Sequence, residues 1–455
     1  MDFKEGLAPA SPSAQYFNSS ALSISIIAVL ESEVPINDEN AMSLLKDVFL
    51  PINPRFSSIM VENEKGEKQW KKVEIKLEDH IDIPIFPTGL SPTSYDKYLD
   101  DYISNMAMDR FPQHKPLWEV HIVKYPTSNA AGNIIFKLHH ALGDGYSLMG
   151  SLLSCLQRAD NPSLPLTFPS HQSSKPKNGK EKDDRTPIRS GDEGLEYRPI
   201  VLSTMIFSLD CIKHIKDKLG VTINDAIVGI IFLGTRLCMQ DINNKSSQAH
   251  STALVLLNTR TMKGYNSVEE MLKPDSETPW GNRFGFLHVP IPKLKDPKSP
   301  NPIEFVQAAQ EVIKKKKSSF GVYLNGMLLE IVKKLRGPEA AARYILGTLR
   351  NSSMTISHMI GPLEKVALDN HSIKGLYFMT VGVPQREKER SQRETSAGHH
   401  GQQAKVFKIS PVIATAFSPP SCSSRDTISL SHRESSSLSR WKPKTKTPSP
   451  RSVDL

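Results

Sequence analysis

The chain has 455 residues, which suits two or three domains at ~100–200 residues each. Apolar residues make up 38% and charged residues 23%; a sizeable core is affordable, and global disorder, collagen and coiled coil are excluded. The formal charge is +9, but residues 386–455 hold 13 of the 57 Lys/Arg and only 6 of the 48 Asp/Glu, so the body is nearly neutral and a nucleic-acid partner, which needs a basic face on a folded module, is not expected.

From the N-terminus, Met1-Asp2-Phe3-Lys4-Glu5 lacks the basic and apolar regions of a secretory signal, and secretion is not expected. Ile24, Ile26, Ala28 and Leu30 recur at period two, which predicts a strand exposed on one face. Asn40 to Leu50 predicts a helix with Ala41, Leu44, Leu45 and Val48 on one side. Trp118 to Val123 alternates as a strand, Ile134 to Leu138 forms a short apolar strand, and Leu148 to Leu156 is helical. Residues 161–199 are dominated by Pro, Ser, Lys, Asp and Gly and predict a flexible linker or crossover. After it, Ser208 opens a helix that runs to Leu219 and stops at Gly220.

Asn224 to Met239 is a second, strongly apolar helix, suited to a core or to a membrane-facing surface. Ala253 to Leu257, Ser353 to Met359 and Lys374 to Val383 predict strands; Ile303 to Lys316 and Tyr323 to Leu335 predict amphipathic helices. No run reaches the ~18 apolar residues of a clear membrane span. From Arg386 the periodicity ends, and 15 of the last 70 residues are serine; residues 386–455 are expected to be disordered. The expected organisation is mixed α/β, with an N-terminal lobe at 1–160, a crossover at 161–199 and a C-terminal lobe at 200–385. The four cysteines are scattered, without the short spacing of a zinc or redox site.

The chemistry concentrates where the Ile134–Leu138 strand ends in His139-His140, followed after three residues by Asp144-Gly145 and then by a helix. Imidazole is the natural general base near neutral pH. Adjacent residues at a strand end point to opposite faces, so only one histidine faces a given site. Gly145 suits a tight turn with positive φ, and Asp144 can tie the loop down by an ion pair or backbone hydrogen bonds. A metal site of His139, His140 and Asp144 is disfavoured, because adjacent ligands diverge on a strand. A serine-hydrolase elbow fails for want of its second glycine, since Gly150 stands one position late.

His139-His140-Ala141-Leu142-Gly143-Asp144-Gly145 resembles the HHxxxDG motif of the CoA-dependent acyltransferases. More narrowly, the chain resembles the plant-type wax ester synthase/diacylglycerol acyltransferases. The same order holds for Ser11-Pro12, Pro116-Leu117-Trp118-Glu119, Asn224-Asp225, Asn258-Thr259-Arg260, Trp280-Gly281-Asn282, Ser357 to Pro362, and Gly382 to Gln385. The resemblance covers about residues 8–385. It implies a two-lobed, chloramphenicol-acetyltransferase-like α/β fold with the motif in a channel between the lobes.

By that resemblance His140 is the catalytic base, His139, Asp144 and Gly145 support the motif, and Asn224 and Asp225 line or organise the oxyanion region. Asn224 equally suits a helix cap, and an Asp225–Arg260 pair would anchor a loop. Trp118 and Trp280 are expected in the core. The implied reaction moves a long-chain acyl group from acyl-CoA, a co-substrate, to a fatty alcohol or diacylglycerol, with no metal, no other cofactor and no acyl-enzyme. The implied setting is the membrane surface of the endoplasmic reticulum, on its cytosolic side, with the plasma membrane as a further location. The tail departs from the family pattern beyond Gln385; the second lobe is expected to lack its last strand and helix, which leaves an impaired lipid- or acyl-CoA-binding protein as the alternative.

Overall fold

The structure is a computed structural model that describes residues 6–382, apart from 65, 164, 165, 167–181, 193–198, 204, 259–279, 297, 318–320, 360 and 363. Most of the expected linker, Arg260, and the whole tail expected to be disordered lie outside the described residues, as does any missing strand or helix beyond Gln385.

Thirteen strands are described. They are β1 (Leu7–Pro9), β2 (Ile24–Ser32), β3 (Ser58–Glu62), β4 (Lys68–Lys72), β5 (Ile81–Asp82), β6 (Trp118–Val123), β7 (Gly132–His139), β8 (Gln157–Arg158), β9 (Thr252–Asn258), β10 (Phe284–Pro290), β11 (Met354–Ile356), β12 (Val366–Leu368) and β13 (His371–Gly382). The helices used below are α1 (Pro12–Phe17), α2 (Pro92–Met108), α3 (Gly145–Cys155), α4 (Leu209–Leu219), α5 (Ile223–Ile242), α6 (Pro302–Lys317) and α7 (Gly321–Asn351). One sheet runs β5-β6-β7-β2-β13-β12-β8, and two three-stranded sheets run β1-β4-β3 and β10-β9-β11.

β2 corrects the expectation of a one-sided strand, since Ile24 to Leu30 are all buried. The strand is central, paired with β7 and β13. Ile26, Ala28 and Leu30 join a core with Phe49, Trp118 and Phe136, while Ile27 and Val29 pack with Leu99 and Ile103 of α2. The run Ile26-Ile27-Ala28-Val29-Leu30 is in fact continuously apolar, as a strand covered on both faces requires. Each such large side chain contributes about 1.5–3 kcal/mol when fully buried. β13, from the second sequence block, pairs along β2 from Ile373↔Ser32 to Gly382↔Ile24. The large sheet therefore draws on both sides of the expected division at residue 200.

Local signals explain several boundaries. Ser208 caps α4 and Gly220 ends it at φ 64°, as expected. The Asn40 to Leu50 segment is helical over Ala41–Leu44, widens to a π-helical turn at Leu45–Phe49 and continues over Leu50–Ile52. The predicted strand at Ser353 to Met359 shrinks to Met354–Ile356. The helix predicted from Tyr323 to Leu335 extends to Asn351 past a break at Gly337 (φ 79°) and Pro338.

The apolar helix α5 is long and apolar enough to cross a membrane. One face of it packs in the core of the β10-β9-β11 sheet, where Val228, Ile231 and Phe232 meet Phe305, Ala309 and Ile313 of α6. A Cβ on Gly229 would lie 2.6 Å from the Val306 Cα, so glycine is what lets the two helices approach this closely. A smaller cluster of Phe17, Leu22, Ile24, Ala342 and Ile345, with Phe284 against it, joins α1 and β2 to β10 and α7.

Candidate active site

β7 delivers the histidine pair. Its last residue, His139, pairs with Ser25, and the His140 N–H donates to the Ile24 carbonyl at 2.8 Å. The chain then turns, with Leu142 N–H donating to the His139 carbonyl at 3.0 Å. Asp144 caps α3 by accepting from Ser147 N–H at 3.1 Å. Its other oxygen accepts from Arg283 N–H at 2.9 Å. Of the two means expected for tying down the loop, the backbone hydrogen bonds are thus present.

The two rings diverge, as expected for strand neighbours. His139 is 1% exposed; its Nδ1 accepts from Ala141 N–H at 3.1 Å, and its Nε2 lies 3.1 Å from Ser23 Oγ. Because Nδ1 accepts, the proton sits on Nε2 and is donated to Ser23. Burial pushes the His139 pKa down to about 3, and His140, Lys68, Arg110 and Lys137 add to the effect. His139 is therefore a neutral, fully engaged ring.

His140 is 4% exposed. Its Nδ1 is 2.6 Å from Asn282 Oδ1. Phe17 and Phe284 pack on the ring at centroid distances of 5.0 and 5.3 Å. No hydrogen bond to Nε2 is made among the described residues. Burial lowers the His140 pKa, while the Asp144 charge and the Asn282 hydrogen bond act in the opposite direction.

Nothing in Trp280-Gly281-Asn282 as a sequence marks a role for Asn282. In the structure, residues 280–283 form a strap across the motif loop. Trp280 Nε1 donates to the Leu142 carbonyl at 2.7 Å, beside Arg55 Nη1 at 2.8 Å. Gly281, at φ 111°, turns the strap; its N–H donates to Ser147 Oγ at 3.2 Å. Asn282 Nδ2 donates to the His140 carbonyl at 2.7 Å. Phe17 was likewise missed, though the Ser11-Pro12 signal that starts its helix was visible. Ser11 accepts from Ala14 N–H and so caps α1.

Three further expectations need correction or qualification. Gly145 does not take positive φ; it starts α3, and a Cβ there would stand 2.7 Å from Met359 Sδ, so space rather than backbone conformation favours glycine. Asn224 is not the cap of α5. Thr222 is, and Asp225 completes a capping box by accepting from Thr222 N–H at 2.9 Å. Of the tryptophans, Trp118 is fully buried as expected, but Trp280 is half-buried and lies against the motif loop.

The sequence profile of the wax ester synthase/diacylglycerol acyltransferase catalytic domain matches residues 52–193, and that of the WS/DGAT C-terminal domain matches residues 280–387. The chain is 29% identical over 438 residues to wax ester synthase/diacylglycerol acyltransferase 4 of Arabidopsis thaliana, covering 84% of this chain and 83% of that one. It is 26% identical over 426 residues to number 11 of the same plant, covering 83% and 85%. Among solved structures, a wax ester synthase/diacylglycerol acyltransferase from Marinobacter aquaeolei VT8 superposes with a TM-score of 0.51 at 15% identity, covering 82% of this chain and 86% of that one. The fold is thus the two-lobed, chloramphenicol-acetyltransferase-like α/β fold that the motif implied. The first profile contains the motif loop and the second begins at the strap.

Proposed function

Because the chain belongs to the wax ester synthase/diacylglycerol acyltransferase family, we propose that it transfers a long-chain acyl group from acyl-CoA to the hydroxyl of a fatty alcohol or diacylglycerol, with His140 as general base. One observation carries this reading: of two adjacent buried imidazoles, His139 has both nitrogens engaged, whereas His140 has only Nδ1 engaged. A neutral ring with an open Nε2 is what proton abstraction needs.

The acyl donor is an activated thioester, so no covalent enzyme intermediate is required. His140 Nε2 takes the hydroxyl proton as the oxygen attacks the thioester carbonyl carbon. The tetrahedral intermediate collapses, the C–S bond breaks, and the CoA sulfur takes the proton from Nε2. Base catalysis supplies roughly 10²–10⁴-fold, and holding both substrates in register supplies more. The developing oxyanion needs a donor; Asn224, in the first turn of α5, is proposed for it through the family's Asn-Asp motif. Phe17 and Phe284 cover the ring, and the proposed route to Nε2 passes these two side chains. Their apolar surface suits alkyl chains and keeps the imidazole uncharged.

The lipid substrates partition into bilayers, so the proposed setting is the cytosolic face of the endoplasmic reticulum membrane. Exposed Ile85, Met205, Ile206 and Phe207 offer apolar contacts there. The deciding experiment gives membranes containing the full chain labelled acyl-CoA with a long-chain alcohol and with diacylglycerol, side by side. Labelled wax ester or triacylglycerol is expected. Acyl-CoA binding with neither product would replace the enzyme by a lipid-binding protein.

A further inference from the structure

We infer that Asn282 is a positioning residue for the reaction: its side-chain amide fixes the tautomer of His140 that leaves Nε2 free, and it holds the imidazolium formed when that nitrogen takes a proton. The inference rests on His140 being the base, as proposed above. Its geometry is that of a reciprocal clamp. Asn282 Nδ2 donates to the His140 carbonyl at 2.7 Å. That bond settles which end of the amide is which, because a carbonyl oxygen accepts only from a donor. The end 2.6 Å from the ring is therefore Oδ1, itself an acceptor. Two acceptors do not bond each other, so Nδ1 carries the hydrogen and the lone pair is on Nε2.

The neighbouring ring sharpens the point. His139 Nδ1 accepts a backbone N–H, so its proton sits on the opposite nitrogen. The fold thus sets two adjacent histidines in opposite tautomers, and the residue that sets the second comes from 142 positions away. Gly281 and Trp280 hold Asn282 in place by bonding Ser147 and Leu142 of the motif loop and its helix.

Once Nε2 is protonated, the Nδ1–H bond to Oδ1 becomes charge-assisted and strengthens. Asn282 thereby favours the transition state over the ground state, which raises kcat rather than lowering KM. Among the described residues, few charged groups act on this ring. Asp144 acts on His140 from the motif loop, and His139 lies behind it. Arg55 reaches the Leu142 carbonyl, and α1 and β10 present the uncharged rings of Phe17 and Phe284.

The test measures ester formation by the full-length chain in membranes, with labelled acyl-CoA and a long-chain alcohol, for native protein and the Asn282→Ala, Asn282→Asp and His140→Ala variants. Asn282→Ala should lower kcat by about 10–100-fold, the scale of a hydrogen bond to a charged group, with KM for both substrates within about twofold. The acid limb of its kcat/KM profile should move to lower pH, since a bond that favours the protonated ring is lost. Asn282→Asp keeps an oxygen at the same place and adds a negative charge, so its acid limb should move to higher pH. A general loss of folding produces no such pair of opposite displacements, and the Asp variant decides the matter if the Ala variant is unstable. An Asn282→Ala enzyme with native kcat and an unmoved acid limb, alongside an inactive His140→Ala, would overturn the role of Asn282 alone. Native activity in His140→Ala would overturn both readings.

Discussion

His139 and His140 are neighbours of identical chemistry, yet one ring faces Ser23, Phe111 and the cationic side of the sheet, while the other faces Asn282, Phe17 and Phe284. On the first side Lys137, 1% exposed, sits 4.6 Å over the Phe111 ring and 3.3 Å from Glu119. Protonating His139 would add a charge to that side, and the ring stays neutral. The charge that acts on His140 is instead the Asp144 carboxylate, which favours a proton. The difference teaches that what packs on each face of β7 leaves one imidazole with both nitrogens bonded and the other bonded through Nδ1 alone, the contrast on which the proposal of His140 as the base rests.

The widest separation should come from substituting each histidine by alanine. His140→Ala should lower ester formation per folded molecule by at least ~100-fold, the lower scale of base catalysis; it also takes the ring's hydrogen bond from Asn282, at a stability cost of about 1–3 kcal/mol. His139→Ala should lose stability on the same scale but little chemistry. It strips partners from Ser23 and from the Ala141 N–H, at a cost of about 1–3 kcal/mol, and should leave most of the turnover per folded molecule. Denaturant titration together with the ester assay separates the two.

Next in size is Asp144→Ala. It removes a helix cap and the bond to Arg283 N–H, which should cost about 1–2 kcal/mol of stability. Because the Asp144 charge raises the His140 pKa, its loss should also move the acid limb of kcat/KM to lower pH.

In the native chain that limb should already lie below the ordinary imidazole value of 6.5, since burial lowers the His140 pKa. The base works when neutral, so activity should persist as pH falls through 6.5 and fail only below it. His139 adds a stability signature with its own sign. The unfolded chain binds a proton near 6.5 that the folded ring refuses until about 3, so stability should fall as pH drops through that window. His139→Gln should flatten the fall.

The smallest effect is expected from Gly145→Ala. The new Cβ meets the flexible Met359 side chain, which can yield, and the cost should be under ~1 kcal/mol. A loss of several times that would mean that the strap and motif loop are held more rigidly than their contacts indicate.

Much of this site was legible in the sequence because its signals are local. The His-His-x-x-x-Asp-Gly loop, the strand before it and the helix after it occupy one continuous segment. Ser208 and Gly220 announced a helix in the same way. Where contacts are distant in sequence the reading failed. Asn282 lies in an aperiodic stretch, and nothing in Trp280-Gly281-Asn282 says which face of which strand it will reach. The two-sided burial of β2 depends on α2 covering its far face, and that helix was missed although Ser91 and Pro92 mark its start. The pairing of β13 with β2 joins the two ends of the described chain, which no local period encodes.

The most direct test of His140 as the base compares acceptors that need a base to different degrees. Native and His140→Ala chains would be given labelled acyl-CoA with a long-chain alcohol, and with the thiol of the same length, whose proton is lost far more readily. If His140 removes the acceptor's proton, the variant should lose at least ~100-fold with the alcohol and much less with the thiol. An equal loss with both acceptors, or none with either, would contradict the assignment.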